Sequence, residues 1–162
     1  MRMGTKMRKR IVTPTSTTAH AQDAWLDLER AATVEVTSED KDFPIESSLS
    51  IVPRQGWRAA QPGTQTLRLI FDEPQELKRI SLVFEENDMT RTQEFVLRAS
   101  SNPAGPFREI VRQQWNFSPP KSTREIEQYA VELSNVALLE LTIVSDISGG
   151  SARASLKSLR PS

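Results

Sequence analysis

LRLIFDEPQELKRISLVF, residues 67–84, contains the clearest pattern in the chain. Apolar side chains recur at every second position in both halves of it: Leu67, Leu69 and Phe71, then Ile80, Leu82 and Phe84. A period of two places alternate side chains on one face of a β-strand. Between the halves, Asp72-Glu73-Pro74 is typical of a turn. The stretch therefore predicts two strands whose apolar stripes pack face to face.

The same alternation recurs in six further segments. They span 33–37, 93–99, 109–117, 129–133, 139–143 and 155–159. Segments rich in Pro, Gly, Asn and Ser separate many of them, at 61–63, 102–106, 118–120 and 148–150, and these residue types are typical of turns. About eight short strands divided by turns predict an all-β fold, an antiparallel β-sandwich.

One short N-terminal helix is predicted over residues 23–32. Asp23 can cap its first turn, and Trp25, Leu28 and Ala32 fall on one face. A helix of about ten residues is too short to be stable alone. We therefore expect Trp25 and Leu28 to pack on a larger body.

Composition excludes several classes of protein. The 162 residues are 37% hydrophobic and 26% charged, with 21 Lys and Arg against 21 Asp and Glu, which is typical of a globular domain. The chain has no Cys and one His, His20, so disulfides, thiolate metal sites and most imidazole-based catalysis are excluded. No two carboxylates stand at a recognisable catalytic spacing, as a glycosidase would need. We therefore predict that the protein is not an enzyme.

Charge divides the chain into a basic start and a mildly acidic body. Residues 1–20 contain five basic and no acidic residues, which leaves 16 basic and 21 acidic residues in the rest, a net charge of −5. We predict a disordered basic tail over 1–21 and one domain over 22–162, because polar ends of low hydrophobicity rarely pack. An arm that contacts nucleic acid or a membrane surface is the alternative for the tail. The acidic body argues against a nucleic-acid partner.

No targeting or membrane-spanning segment is recognisable in the sequence. The basic start leads into Ile11-Val12 and then into a Thr-rich stretch, so the apolar core of a signal peptide is missing. No run of about 18 apolar residues occurs that could span a bilayer. We therefore expect no membrane insertion and a cytoplasmic location.

Four stretches between residues 33 and 161 follow one another in a distinctive order. They are Phe43-Pro44-Ile45-Glu46-Ser47-Ser48-Leu49 leading to Gly56-Trp57-Arg58-Ala59, the pair 65–71 and 77–84, the segment 95–111 with Asn102 and Gly105 in its turn, and the pair 129–133 and 138–143. This series resembles the discoidin, or factor V/VIII type C, family of the galactose-binding-like superfamily, with the last pair as its penultimate hairpin. It also resembles bacterial proteins of this fold that are assigned to carbohydrate binding.

The resemblance implies an eight-stranded jelly-roll sandwich whose loops at one end bind a ligand. Known ligands in the superfamily are sugars, phospholipid head groups and other proteins. Where many members place calcium ligands, this chain has Ser50-Ile51 before the Trp and Ser158 in the last strand, so we predict no cofactor and disfavour calcium. The absence of disulfide-linked ends suits a reducing compartment.

Two polar clusters in predicted strands are candidate ligand-binding residues. Arg91 and Gln93 form one, and Arg112, Gln114 and Trp115 form the other. Arg and Gln offer several donors and acceptors for hydroxyl or carboxylate groups, and Trp offers a flat apolar face for a sugar ring. Alternation places Arg112 and Gln114 on one side of the strand and Trp115 on the other. The structural alternatives are cross-strand ion pairs for the arginines and a core position for Trp115.

A third cluster surrounds Trp57, which closes a long loop. We expect Arg54, Gln55 and Arg58 to be exposed there, with Trp57 packed beneath the loop, because long ordered loops at a sandwich end often bind ligands. The acidic turn at 85–88 is interpreted as a solvated hairpin tip, and a site for a hard cation is the alternative.

The leading hypothesis is a non-catalytic module that binds carbohydrate or a similar polar small ligand through the loops at one end of the sandwich. The alternative is an intracellular protein–protein interaction or scaffold domain that uses the same surface. An enzyme of unknown type is a weaker third option, which would need several acids converging in a pocket. The sequence leaves the oligomeric state open.

Overall fold

The computed structural model describes residues 25–52 and 54–162. The predicted tail over 1–21, with His20, lies outside the described residues, as does Asp23, the predicted helix cap. Two short helices occur within the described ranges, α1 (Leu28–Ala31) and α2 (Glu46–Leu49). No helix in this part of the chain is long and apolar enough to cross a membrane.

The strands of the described ranges form an antiparallel β-sandwich. They are β1 (Ala32–Val36), β2 (Trp57–Pro62), β3 (Gln65–Glu85), β4 (Arg91–Ser100), β5 (Arg108–Phe117), β6 (Arg124–Val144), β7 (Arg153–Leu156) and β8 (Ser158–Pro161). The larger sheet has the order β1-β3-β6-β4-β5 with β8 beside β3, and β2 pairs with β7 in a second sheet. Every one of these pairings is antiparallel. The predicted all-β antiparallel architecture is confirmed.

The two 21-residue strands β3 and β6 take part in both layers of the sandwich. The first half of β3 pairs with the second half of β6, and the second half of β3 pairs with the first half of β6. The halves lie in different layers, because Phe84 of β3 stacks on Phe95 of β4, with ring centroids 5.2 Å apart, although these strands are not paired. One pair of strands therefore joins the two layers.

This arrangement corrects three predictions. Residues 67–84 lie in one bent strand rather than in two strands joined by a turn, and the predicted hairpin over 129–143 is also one bent strand. Residues 155–159, predicted as one strand, are divided between β7 and β8. The long strands bend at the same level, where Gln75 pairs with Val136 amid register shifts. Pairing resumes on both sides of the bend, so neither chain needs a separate loop.

The core lies between the two layers. Both stripes predicted from the sequence are buried in it: Leu67, Leu69 and Phe71, and Ile80, Leu82 and Phe84. Aromatic side chains such as the stacked Phe84 and Phe95 each bury about 150–250 Å² and contribute strongly to such a core. The prediction that these stripes form the interior is confirmed.

The predicted ten-residue helix over 23–32 is wrong in its length. Helix α1 has four residues, and Ala32 already pairs with β3. Before the helix, Leu26 donates its backbone N–H to the Pro161 carbonyl at 2.9 Å. Hydrogen bonds to distant strands on both sides of α1 therefore override the local helical preference. Leu28 is buried in the core, as predicted.

We expect Phe84→Ala to lower the free energy of unfolding by about 3–5 kcal/mol, because it removes a fully buried ring and leaves a cavity. Ile126→Ala is the matched control, since Ile126 lies on the neighbouring strand and is 56% exposed. Its truncation should change the free energy by less than about 0.5 kcal/mol. Urea unfolding measures both values, and equal effects would contradict the placement of Phe84 in the core.

Candidate functional site

Three loops meet at one end of the sandwich, which we call the loop end. They connect β3 to β4, β5 to β6 and β6 to β7. Glu86 donates its backbone N–H to the Thr123 carbonyl at 2.8 Å, and Ile147 donates its N–H to the Thr92 carbonyl at 2.9 Å. Ser162 lies at the opposite end, where it is hydrogen-bonded to Arg79 near the bend of β3. Loops held together on a rigid sandwich commonly carry binding residues.

Trp57 anchors the long connection between β1 and β2 beside the loop end. Its side chain is 2% exposed, and its Nε1 donates to the Ser38 carbonyl at 3.0 Å. The preceding Gly56 has φ +93°, and a Cβ there would lie 2.7 Å from the Leu156 carbonyl oxygen. A glycine permits both this φ and this close approach to β7. The predicted packing of Trp57 beneath the loop is confirmed.

A pocket of 250 Å³ opens between this connection, the end of β3 and β7, and we call it the loop-end pocket. Its lining includes Phe43, Gln55, Arg58, Asn87 and Lys157. The Arg58 guanidinium lies over the Phe43 ring, 5.2 Å from its centroid, and this cation–π contact orients it. Gln55 and Asn87 are exposed. Amide, guanidinium and ammonium groups in one pocket can hydrogen-bond several hydroxyl groups at once.

A second concavity of 250 Å³, which we call the outer groove, runs along the exposed face of β8, β3 and the first half of β6. Four cationic side chains of the described residues line it: Arg54, Arg124, Lys157 and Arg160. Lys157 also lines the loop-end pocket, and Arg54 precedes Gln55 of that pocket, so the two concavities are adjacent. Among the predicted residues, Arg54 belongs to the outer groove, and Gln55 and Arg58 belong to the loop-end pocket.

Arg91 and Gln93 lie inside the sandwich, where both are buried. Arg91 donates from Nε to Glu86 Oε1 at 2.7 Å and from Nη1 to the Ser145 carbonyl at 2.6 Å. Its guanidinium also lies 5.0 Å from the centroid of the Phe117 ring. Since neither side chain is open to solvent, we assign Arg91 and Gln93 to the framework of the loop end and leave them out of the proposed binding surface.

The acidic turn after β3 uses the carboxylate of Glu86 to hold its own backbone. Glu86 Oε2 accepts the N–H of Asp88 at 3.0 Å and that of Met89 at 3.2 Å. Burial is the largest single influence on the pKa of Glu86 and would raise it, but the hydrogen bonds from Asp88, Arg91 and Met89 and the charge of Arg91 together outweigh burial, and the pKa is lowered. Among the described residues, no group of three acidic or histidine side chains that could hold a metal ion occurs.

Glu125 is a second buried carboxyl group, and it faces another acid instead of a cation. Gln93 donates from Nε2 to Glu125 Oε1 at 3.3 Å. Burial, followed by the hydrogen bond and the negative charge of Glu127, raises the pKa of Glu125 to about 8. Burial and the charges of both acids also raise the pKa of Tyr129. Glu125 is therefore mainly protonated and neutral at pH 7.

Arg112 and Gln114 lie on the exposed face of β5, in the other layer. Arg112 contacts Glu94 at 3.2 Å and Glu109 at 2.9 Å, and Gln114 donates to Glu94 at 3.1 Å. Trp115 faces the other way, is half-buried and packs against the core. The predicted alternation along this strand is confirmed. For Arg112 the observed contact with Glu94 is the cross-strand ion pair named as its structural alternative. For Trp115 the packing against the core is likewise its structural alternative.

The sequence matches no model of a known protein family, and no curated protein matches it. Several solved structures are similar. The family 32 carbohydrate-binding module of NanJ from C. perfringens, in complex with galactose, has a TM-score of 0.62 and 13% identity, over 85% of this chain and 96% of that one. The corresponding module of AlyQ, in complex with 4,5-unsaturated mannuronic acid, has a TM-score of 0.61 and 14% identity, over 82% of this chain and 95% of that one. A pectin-binding carbohydrate-binding module has a TM-score of 0.58 and 12% identity, over 82% of this chain and 90% of that one.

The chain has the galactose-binding-like fold. This similarity extends over nearly the whole length of the three modules, and it confirms the discoidin-like sandwich that the sequence motifs imply. Unrelated sites occur on one fold, so the side chains of this chain, and not its fold, determine its ligand.

The galactose-binding-like sandwich separates the eight predicted binding residues. Gln55 and Arg58 share the loop-end pocket with Lys157, which was not predicted. No local signal marks Lys157, because its position depends on its backbone N–H donating to the Val83 carbonyl of β3 at 2.8 Å. Glu125 was also missed, although the alternation of strand 129–133, extended four residues backwards, places it on the buried face.

We expect the free energy of unfolding to fall as pH rises from 4.5 to about 8. The folded-state pKa of Glu125 is raised, so the unfolded chain loses this proton first and unfolding becomes more favourable through that window. Glu125→Gln removes the titration while keeping a neutral partner for Gln93. At the upper end of the window the variant should be roughly 1–3 kcal/mol more stable than the wild type.

Thermal unfolding across the same pH range measures this difference. Glu132→Gln is the control, since Glu132 is exposed on the same strand, and its profile should follow that of the wild type. Parallel profiles for the wild type and Glu125→Gln would contradict a neutral buried carboxyl group.

Proposed function

We propose that this chain is a non-catalytic carbohydrate-binding module that holds its sugar in the loop-end pocket. The observation that carries the proposal is the lining of that pocket, which places Gln55, Arg58 and Asn87 around one concavity of a galactose-binding-like sandwich. Sugar hydroxyls both donate and accept hydrogen bonds, and amide groups do the same while a guanidinium adds several donors.

The pocket is partly ordered for binding. The Phe43 ring restrains the Arg58 guanidinium through the contact at 5.2 Å, and Trp57 and Gly56 hold the connection that carries Gln55. A side chain that is already restrained loses less conformational entropy when a ligand binds. This order supports recognition of a small polar molecule.

Similar structures support a saccharide as the class of ligand. The NanJ module is in complex with galactose and the AlyQ module with 4,5-unsaturated mannuronic acid. Both have the same fold over more than four fifths of this chain. The two ligands differ, which fits a fold whose loops set the specificity.

The lining of the pocket favours binding over catalysis. Hydrolysis of a glycosidic bond generally uses two carboxyl groups that flank it. Glu85 is the one carboxylate among the described residues that line the pocket, and it lies 4.0 Å from the ammonium group of Lys157. A single carboxylate beside a cation does not form an acid–base pair.

A protein partner is the second candidate ligand of the loop end. It is favoured by apolar side chains exposed on two of the loops, Met89 at 41% and Ile147 at 50%. Methionine and large apolar side chains are common anchors of protein interfaces. A partner chain would cover both side chains while occupying the same end of the sandwich.

Arg58→Gln and Asn87→Ala should each weaken sugar binding by about tenfold or more, because each removes hydrogen-bond donors from the pocket. A glycan array identifies the sugars that bind, and calorimetric titration then gives Kd for each variant. Both side chains lie at the surface of the pocket, so the melting temperature should stay close to that of the wild type.

Arg112→Ala and Gln114→Ala are the matched controls on the exposed face of the other layer, and both should keep the wild-type Kd. Loss of binding in these variants alone would move the site to the β4–β5 face. If no sugar on the array binds, and a captured partner protein is released by Met89→Ala, the second candidate replaces the first.

A further inference from the structure

The outer groove concentrates positive charge in a protein whose net charge is zero. Arg54, Arg124, Lys157 and Arg160 line it, and no acidic side chain is among its described lining residues. The chain as a whole has equal numbers of acidic and basic residues. The groove therefore carries a local positive potential that the average composition does not explain.

Strand pairing explains why polar groups converge in this groove. Ser81 of β3 pairs with Arg160 of β8 on one side and with Gln128 of β6 on the other. In the next row, Val83 pairs with Ser158. Residues paired across neighbouring strands project from the same face of a sheet. The floor of the groove therefore places hydroxyl and amide groups between its cations.

The fold itself uses these cations little. Arg54 is exposed and makes no hydrogen bond or ion pair with another described residue. Arg124 and Lys157 share one carboxylate, Glu85, at 3.8 and 4.0 Å, and such long surface pairs add little stability. Arg160 donates from Nη2 to a backbone carbonyl at 3.3 Å, while its Nε finds no acceptor within the described residues. Among the described residues, the four positive charges of the groove thus have one carboxylate near them, Glu85, and only Arg124 and Lys157 contact it.

We infer that the saccharide of the loop-end pocket is acidic and that its carboxylate-bearing part extends into the outer groove. The inference rests on the proposed function. Lys157 lines both concavities, and the neighbours Arg54 and Gln55 line one each, so a chain that leaves the pocket enters the groove directly. Guanidinium–carboxylate hydrogen bonds are short, charge-assisted and often bidentate. A charged saccharide therefore gains contacts that a neutral one lacks.

The polar groups of the described lining, four serine hydroxyls and one amide, suit a saccharide. Serine hydroxyls and the Gln128 amide match the hydroxyl groups of a sugar, and Trp25, Val52 and Val83 supply the apolar part of the lining. Membrane-surface binding combines basic residues with protruding apolar ones. Val52 lines the groove and is exposed, as is its neighbour Ile51, so lipid vesicles form one arm of the test.

Calorimetric titration of the full chain tests the inference with short oligomers of galacturonate, mannuronate and glucuronate and with their methyl esters. Acid and ester have the same sugar skeleton and differ at one group, which is a charged carboxylate in the acid and a neutral methyl ester in the other. At least one acid should bind about tenfold or more tightly than its ester, and added salt should reduce the difference because exposed charges are screened. Arg54→Gln/Arg124→Gln should abolish this preference and leave the affinity for the ester unchanged.

Arg30→Gln/Arg108→Gln is the control, since it removes the same charge at exposed positions outside the groove and should keep the preference for the acid. If the sugars that bind are neutral, or acid and ester bind equally, and Arg58→Gln weakens them, the inference is overturned and the proposed function stands. If no saccharide binds at all, both are overturned. Binding to phosphatidylserine vesicles alone, lost in Arg54→Gln/Arg124→Gln, would overturn the inference and assign the groove to a membrane surface.

Discussion

The pairing of β3 with β6 across both layers is the constraint on which the rest of the structure depends. Each strand bends at one end of the sandwich and returns to the other, where Glu85 pairs with Arg124. The bend places Phe84 opposite Phe95 and so closes the core. It also delivers paired strand ends to the edge of the loop-end pocket and the outer groove. Side chains on paired strands are held more precisely than side chains on loops.

Burial inside the loop end also decides how its polar groups must be paired. A buried charge is stable only beside a partner of opposite charge or with sufficient hydrogen bonds. Arg91 meets this need with Glu86 and the Ser145 carbonyl and so links two loops. Glu125 has an acid and an amide beside it instead, and it keeps its proton. The two carboxyl groups thus differ in pKa because only one of them faces a cation.

Alternation along the chain predicted the elements that a single strand can specify. The stripe ending at Phe84 is buried, and Arg112 and Gln114 share the exposed face of β5. The predictions failed where two distant segments act together. The turn expected within residues 67–84 is part of a strand because β6 bends beside it. Arginine is usually exposed, but Arg91 is buried, because the carboxylate of Glu86 neutralises its charge.

By itself, the sequence determined the all-β class, the discoidin-like order of segments and the side of each strand that faces the core. Successive side chains of a strand point to opposite faces, so this alternation can be read from neighbouring residues alone. The tertiary structure alone decided which polar side chains share a site. Arg54, Arg124 and the near neighbours Lys157 and Arg160 come from three separate regions of the chain and meet in one groove, since strand pairing between remote residues sets their neighbours. Local sequence patterns carry no record of such pairing, so the groove and its charge could only be found in the folded chain.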